Sequence, residues 1–278
     1  MKKLVLTGAA GKLGTQLRGP LAAMAEELVS TDIAEAPGPL APNERWVPAD
    51  LADKTAMHDL IDGADMVVHF GAIGDEGTFE QVLGPNIVGA YNVWEAARLT
   101  GVQRIVYASS IHAVGMYPKT EAIGVDVPHR ADGFYGIAKC FAEDVARMYW
   151  EKSGVESVCL RILSCTPEPV NTRALGSWLS YGDLVRLVTA SITTPITGFT
   201  VAYGVSNNDR CPVDNSAAAF LGYKPQDNAE AWAAQRFAEA GPADPSDLGQ
   251  LAHGGPFASA PINSEGLSAK LLTKPVGG

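Results

Sequence analysis

At 278 residues, with 46% hydrophobic and 19% charged residues, the chain is long enough to bury a large core, and no apolar run reaches bilayer-spanning length. A formal net charge of −10 repels polyphosphate and leaves no basic stripe, which excludes nucleic acid and membrane as expected partners. The four cysteines lack CxxC spacing and the five histidines form neither HxxxH nor HxH pairs, so reduced packing thiols and no metal site are expected.

Met1 leads directly into LVLTGAAG, a buried strand and turn with no charged-then-apolar leader, and a cytoplasmic location follows as an expectation. KLVLT (3–7) is a short apolar run that ends at the glycine-rich TGAAGKLG. Apolar residues then recur at helical spacing through LRGPLAAMAEEL. Further strands are expected at LVSTD (28–32), RWVPA (45–49), DMVVHF (65–70), QRIVYAS (103–109) and ESVCLRI (156–162), most of them separated by helical stretches. These are continuous apolar runs, the pattern of a parallel sheet covered on both faces. The expected fold is α/β: a doubly wound, Rossmann-like parallel sheet.

After residue 163 the texture changes. TPEPVNTR reads as a polar loop, SYGDLVRLVTASI and AEAWAAQRFAEA as helices, and FTVAYGV as a strand. The chain is expected to form a single domain, 1–278, with the core in 1–162 and small substrate-facing additions in 163–278. The Gly/Pro-rich stretch from Gly241 to Gly278 is expected to be an extended tail over the body or a neighbouring copy.

Gly8, Gly11 and Gly14 fall between a strand and the mouth of a helix, where backbone N–H groups can meet a pyrophosphate. Asp32 ends the second strand about twenty residues on, placed to accept from ribose hydroxyls and to repel a 2′-phosphate, so NAD is expected over NADP. Lys12 and Arg18 nearby argue the other way, and an Asp at this place can also cap a turn. Asp50, closing the third strand in PADLAD, is placed either to accept from an adenine amino group or to cap the next helix.

In YGIAK, Tyr135 and Lys139 share a helix face one turn apart. A free tyrosine has a pKa of ~10, and lowering it by ~3 requires roughly 4 kcal/mol of phenolate stabilisation, which an adjacent ammonium can supply. ASSIHAVG (108–115) ends the fifth strand, where open α/β sheets bind ligands. Ser110 can hold a substrate oxygen, Ser109 can be a satisfied loop hydroxyl, and His112 can touch substrate or bond to nearby backbone.

TGxxGxxG, an Asp after the second strand, a Ser-bearing fifth-strand end and YxxxK together resemble the extended short-chain dehydrogenase/reductase family. That resemblance implies Tyr135 as base, Lys139 lowering its pKa and binding the nicotinamide ribose, and Ser110 orienting the substrate oxygen. PNIVGAYNVWEAAR (85–98), ASSIHAVGMYPKTE (108–121), FYGIAKCFAEDVARMYW (134–150), RILSCTPEP (161–169) and AFLGYKPQDNAE (219–230) are similar to the bacterial uronate dehydrogenases. This implies NAD-dependent oxidation of the anomeric carbon of galacturonate or glucuronate to an aldarolactone.

Cofactor positions implied by the resemblance are Gly8, Gly11, Lys12, Leu13, Gly14, Asp32, Asp50, Leu51 and Gly71, with Tyr135 and Lys139. The implied sugar positions are Gly74, Ser110, Ile111, His112, Tyr135, Ser164 and Arg173, the arginine gripping a C6 carboxylate as a bidentate fork. A surface salt bridge is the other reading of Arg173. The chain departs from that pattern at Ile111, where the family carries Asn, and at Gly74, where it carries Ser. Asp75 and Glu76 sit awkwardly beside an anionic sugar unless they face solvent. The same chemistry on another C6-anionic sugar such as sulfoquinovose, an epimerase of the same family, and a non-catalytic dinucleotide sensor are the rival readings. The expected partner is a sugar acid, in a homo-oligomer.

Overall fold

A computed structural model describes residues 1–242 and 244–267. In chain order it contains β1 (Lys3–Thr7), α1 (Gly14–Ala22), β2 (Glu27–Thr31), β3 (Glu44–Trp46), α2 (Lys54–Ile61), β4 (Met66–His69), α3 (Phe79–Val82), α4 (Gly89–Thr100), β5 (Arg104–Ser110), α5 (Phe134–Ser153) and β6 (Glu156–Ile162). It continues through β7 (Ser164–Cys165), α6 (Ala174–Ser177), β8 (Trp178–Leu179), α7 (Tyr181–Thr193), β9 (Phe199–Gly204), α8 (Ala233–Glu239), α9 (Leu248–Leu251) and α10 (Pro256–Ser259). The main sheet is seven-stranded in the order β3-β2-β1-β4-β5-β6-β9, all pairs parallel, as the continuous apolar runs require.

Successive side chains along each strand enter opposite faces. In β1, Leu4 and Leu6 join a cluster under α1 and α7 that includes Leu17, Leu21, Leu184 and Leu187. Val5 faces the other way, into a cluster with Met57 of α2, Trp94 of α4 and Tyr149 of α5. The chain leaves β1 toward β2 on one side and returns at β4 on the other, opening a crevice at the carboxyl ends of β1 and β4.

The expected strands are present, with β3 stopping at Trp46, short of the expected Ala49, ahead of Pro48, which cannot donate to a ladder. Residues after 163 are not a separate layer: β9 completes the sheet, and the two-residue strands β7 and β8 pair with each other beside the crevice. The expected C-terminal tail is described only in part. Residues 243 and 268–278 lie outside the described residues, while 248–259 form α9 and α10 and hydrogen-bond to the 115–119 segment. Among the described residues no helix is long and apolar enough to cross a membrane.

Candidate active site

Gly8 has φ 71°, and a Cβ there would lie 2.5 Å from the backbone of Phe70 and Gly71. Gly14 opens α1 so close to the turn that its Cβ would lie 2.0 Å from the Gly8 carbonyl oxygen. The turn is therefore a cradle made of backbone, and α1 begins from it with no acidic side chain in its first turn. Such a cradle fits a pyrophosphate.

Asp32 lies against this turn. Its Oδ2 accepts from the Ala10 N–H (3.0 Å) and its Oδ1 from the Ala34 N–H (3.2 Å), so it holds the loop, as a turn-capping Asp does. Asp50 is exposed and, among the described residues, its side chain accepts only from the Ala52 N–H at 2.9 Å, while Asp53 caps α2 through Thr55 and Ala56. Leu51 and Gly71 pack against each other beneath the turn, a Cβ on Gly71 falling 2.9 Å from Leu51 Cδ1. Gly8, Gly11, Lys12, Leu13 and Gly14 line the crevice, whose cavity is about 450 Å³; Asp32, Asp50, Leu51 and Gly71 stand behind or beside it.

The opposite wall begins where β5 ends. Ser110 starts a short helical turn, Ile111–Val114, and accepts from the His112 N–H at 3.2 Å. Tyr135 stands in the first turn of α5, whose N-cap residue, Gly133, has no side chain to cap it. Glu76 supplies the cap from another loop, accepting from the N–H groups of Phe134 (2.8 Å) and Tyr135 (3.1 Å). Glu76 is buried, and burial raises its pKa despite those bonds. The charge that sat awkwardly beside a sugar acid is spent on the helix carrying Tyr135.

Burial pushes Tyr135 up to about 12, opposed by its hydrogen bond with Ser110. Burial likewise brings Lys139 down to about 7, opposed by the charge of Glu143 one turn on. The Lys139 Nζ donates to the Ala108 carbonyl at 2.7 Å and sits 5.3 Å from the centre of the Tyr135 ring. Before any ligand charge is added, burial therefore holds the phenol protonated. Beneath Lys139, Glu143 accepts from Ser109 and, bidentately, from Arg161, and it bonds His129 at 2.9 Å. Burial works against that carboxylate, but the bonds from His129 and Arg161 hold it at about 2. Ser109 is thus a satisfied hydroxyl, though on β5 rather than in a loop.

The sugar side is assembled from distant segments. His112 bonds the Asp132 side chain rather than backbone. Ser164 on β7 bonds Ser177 at 3.0 Å and accepts from Arg173 at 3.3 Å. Arg173 also donates to the His253 carbonyl at 2.5 Å. Desolvation lowers the Arg173 pKa, and among the described residues no carboxylate lies within ion-pair distance of it. A surface salt bridge is excluded for it. Gly74 is exposed and Ile111 buried, and both line the cavity.

Sequence reasoning missed several contributors. Gly254, Pro256 and Phe257 line the cavity from the segment read as a tail, and Phe257 stacks on His112 at 4.0 Å. The paired glycines of HGGPF were the available signal of close backbone approach. Asn86 brackets Ile73, accepting from its N–H (2.8 Å) and donating to its carbonyl (3.0 Å), and so fixes the loop that carries Gly74. It projects from the wide turn Leu83–Val88 between α3 and α4.

A uronate dehydrogenase of Agrobacterium fabrum is 48% identical to the chain over 262 residues, covering 94% of this chain and 98% of its own length. One from Pseudomonas putida is 46% identical over 260 residues, covering 92% and 97%. The crystal structure of a mutant uronate dehydrogenase from Agrobacterium tumefaciens, complexed with NAD, superimposes with a TM-score of 0.90 at 48% identity, covering 94% of this chain and 98% of that one. The model of the NAD dependent epimerase/dehydratase family matches residues 4–166, the stretch running from β1 through the glycine cradle and the Ser110, Tyr135 and Lys139 set to β7, and the chain belongs to that family.

Proposed function

We propose that this protein is an NAD-dependent dehydrogenase that oxidises the anomeric carbon of a hexuronate, galacturonate or glucuronate, to its lactone. The observation that carries the substrate is Arg173, a desolvated cation that shares the cavity with Ser110, Tyr135 and Lys139, that among the described residues hydrogen-bonds only neutral groups, and whose one attracting charge, Asp132, lies beyond ion-pair distance. NAD, when bound, supplies the hydride acceptor and a positive nicotinamide ring. Gly8, Gly11 and Gly14 hold its pyrophosphate, and Asp32 takes the ribose hydroxyls and excludes a 2′-phosphate.

Ser110 holds the anomeric hydroxyl against Tyr135, and Tyr135 removes its proton. A phenol pushed up by burial becomes a base only when positive charge enters beside it, so proton removal is tied to the loaded site. Lys139 adds charge on the same helix face and reaches the ribose. His112 and Ser164 complete the sugar contacts, and Arg173 pairs with the C6 carboxylate. In this reading residues 1–162 bind cofactor and carry the chemistry, while β7, the loop before α6 and the α9–α10 segment close the sugar side.

A second reading keeps the mechanism and changes the acid: a C6 sulfonate such as that of sulfoquinovose would also pair with Arg173. Apolar Ile111 and side-chain-free Gly74 in the cavity wall favour it. We also infer a cytoplasmic homo-oligomer, supported by four free cysteines and by exposed Ile137, Phe141 and Met148 along one side of α5. Size-exclusion chromatography with light scattering tests the association.

The substrate is tested by following NADH absorbance with both uronates, sulfoquinovose, glucose and galactose. Arg173→Ala should raise KM for the preferred acid by roughly tenfold to a hundredfold, the worth of one charge-assisted pair, with little change for neutral sugars. Neutral hexoses turned over as well as any acid would refute the anion site.

A further inference from the structure

Resting on the sugar-site reading above, we propose that Asp132 is a positioning residue: it fixes His112 with Nδ1–H on its carboxylate and Nε2 toward the sugar. The Asp132 side chain is fully buried, and its Oδ2 lies 2.7 Å from His112 Nδ1. Its Oδ1 is buried and, among the described residues, has no hydrogen-bond partner. Burying a carboxylate with one oxygen unsatisfied is costly, and such a group persists where its remaining bond does something the fold alone does not need.

The surroundings are shaped to that carboxylate. A Cβ on Gly115 would lie 2.0 Å from Oδ2, and one on Gly254 would lie 1.7 Å from the same atom. The Gly254 N–H donates to the Gly115 carbonyl at 2.8 Å, so the turn after β5 and the C-terminal segment close around one oxygen. Phe257, three residues beyond Gly254, then stacks on His112 with an interplanar angle of 24°. Tyr135 meets the same imidazole edge-on, with ring centres 5.6 Å apart. His112 is thus held on one face by the C-terminal segment, at Nδ1 by Asp132, and beside the proton-transfer set.

An ionised carboxylate only accepts, so Nδ1 must carry the proton. In the neutral ring Nε2 is then an acceptor, and among the described residues no protein group bonds it, while the ring lines the cavity. A sugar hydroxyl donating to Nε2 completes the arrangement, in the way a carboxylate orients a metal-bound or catalytic imidazole.

The test begins with the wild-type protein and nitrogen-15 NMR of the imidazole, which needs neither substrate nor NADH readout and so stands or falls apart from the uronate assignment. The expected signature is an Nδ1-protonated neutral tautomer for His112; an Nε2-protonated ring would overturn the proposal. Asp132→Asn keeps the volume while allowing the amide to present its NH₂ to Nδ1. It should lose the tautomer preference and lower kcat/KM for the sugar at least tenfold, with NAD affinity by fluorescence titration within about twofold of wild type. In a His112→Ala background Asp132→Asn should cost nothing further, since the carboxylate acts through the ring. Additive losses in the double variant, or a parallel fall in NAD affinity, would assign Asp132 a structural role only.

Discussion

The glycine cradle between β1 and α1 and the wall running from Ser164 to Phe257 face each other across one cavity, yet they are made of different material. The cradle presents backbone: Gly8, Gly11 and Gly14 lie on one turn, and positions 8 and 14 admit no Cβ. The opposite wall presents side chains from β7, the loop before α6 and the α9–α10 segment: Ser164 and Arg173 bond each other, Arg173 reaches the distant His253 carbonyl, and Phe257 stacks on His112. A backbone site can only be kept or lost, whereas a side-chain wall can be re-lettered position by position. Cofactor use is therefore expected to be rigid in this fold and sugar choice adjustable, and Ile111 and Gly74 stand on the adjustable side.

Tyr135 stands between the two regions, and its removal separates them most sharply. Tyr135→Phe deletes the proposed base and leaves both walls in place, so kcat should fall by roughly 10²–10⁴ while NAD and sugar affinities stay near wild type. Single-turnover kinetics with equilibrium NAD titration measures both; activity within a few-fold of wild type would reject the assignment. Gly14→Ala comes next in size. Its Cβ has no room against the Gly8 carbonyl. NAD affinity should drop by an order of magnitude or more, with a lower melting midpoint, while the relative rates across a panel of sugars at saturating NAD stay unchanged. A change in sugar preference would break the separation of the two regions.

The same contrast explains what the sequence disclosed. β6 was legible to the residue, Glu156–Ile162, because Val158, Cys159, Leu160 and Ile162 follow shortly after the Gly154 that stops α5, and both signals are local. The glycine turn and the Tyr135–Lys139 spacing are local too. Glu76 was not legible as the cap of α5, since the N–H groups it accepts from are at 134 and 135 and nothing near position 76 announces them. Phe257 was read as tail because its partner is His112, far upstream on another segment. Asn86 follows Gly84 and Pro85, a pair that announces a break but not that the next side chain brackets Ile73. Residues that act through neighbours distant along the chain leave no periodicity to read.

Lys139 serves both regions, and the smallest effect concerns its cost to stability. Burial lowers it from an ordinary value of 10.5 to about 7. Between those values the unfolded chain holds a proton that the native protein has released, so the stability contributed at this position rises with pH through that window. Below pH 7 the ammonium is charged in both states and the full burial penalty is present. Lys139→Met, similar in length and apolar, removes the penalty, although the Ala108 carbonyl loses the donor now 2.7 Å away. The variant should be inactive yet melt a few degrees above wild type at pH 6, the gain shrinking steadily and vanishing by pH 10.5. Differential scanning calorimetry across that range reads the trend directly. A variant less stable at pH 6, or a gain that ignores pH, would show that the lost bond to Ala108 outweighs the buried charge, and that Lys139 is held in place by the fold rather than at its expense.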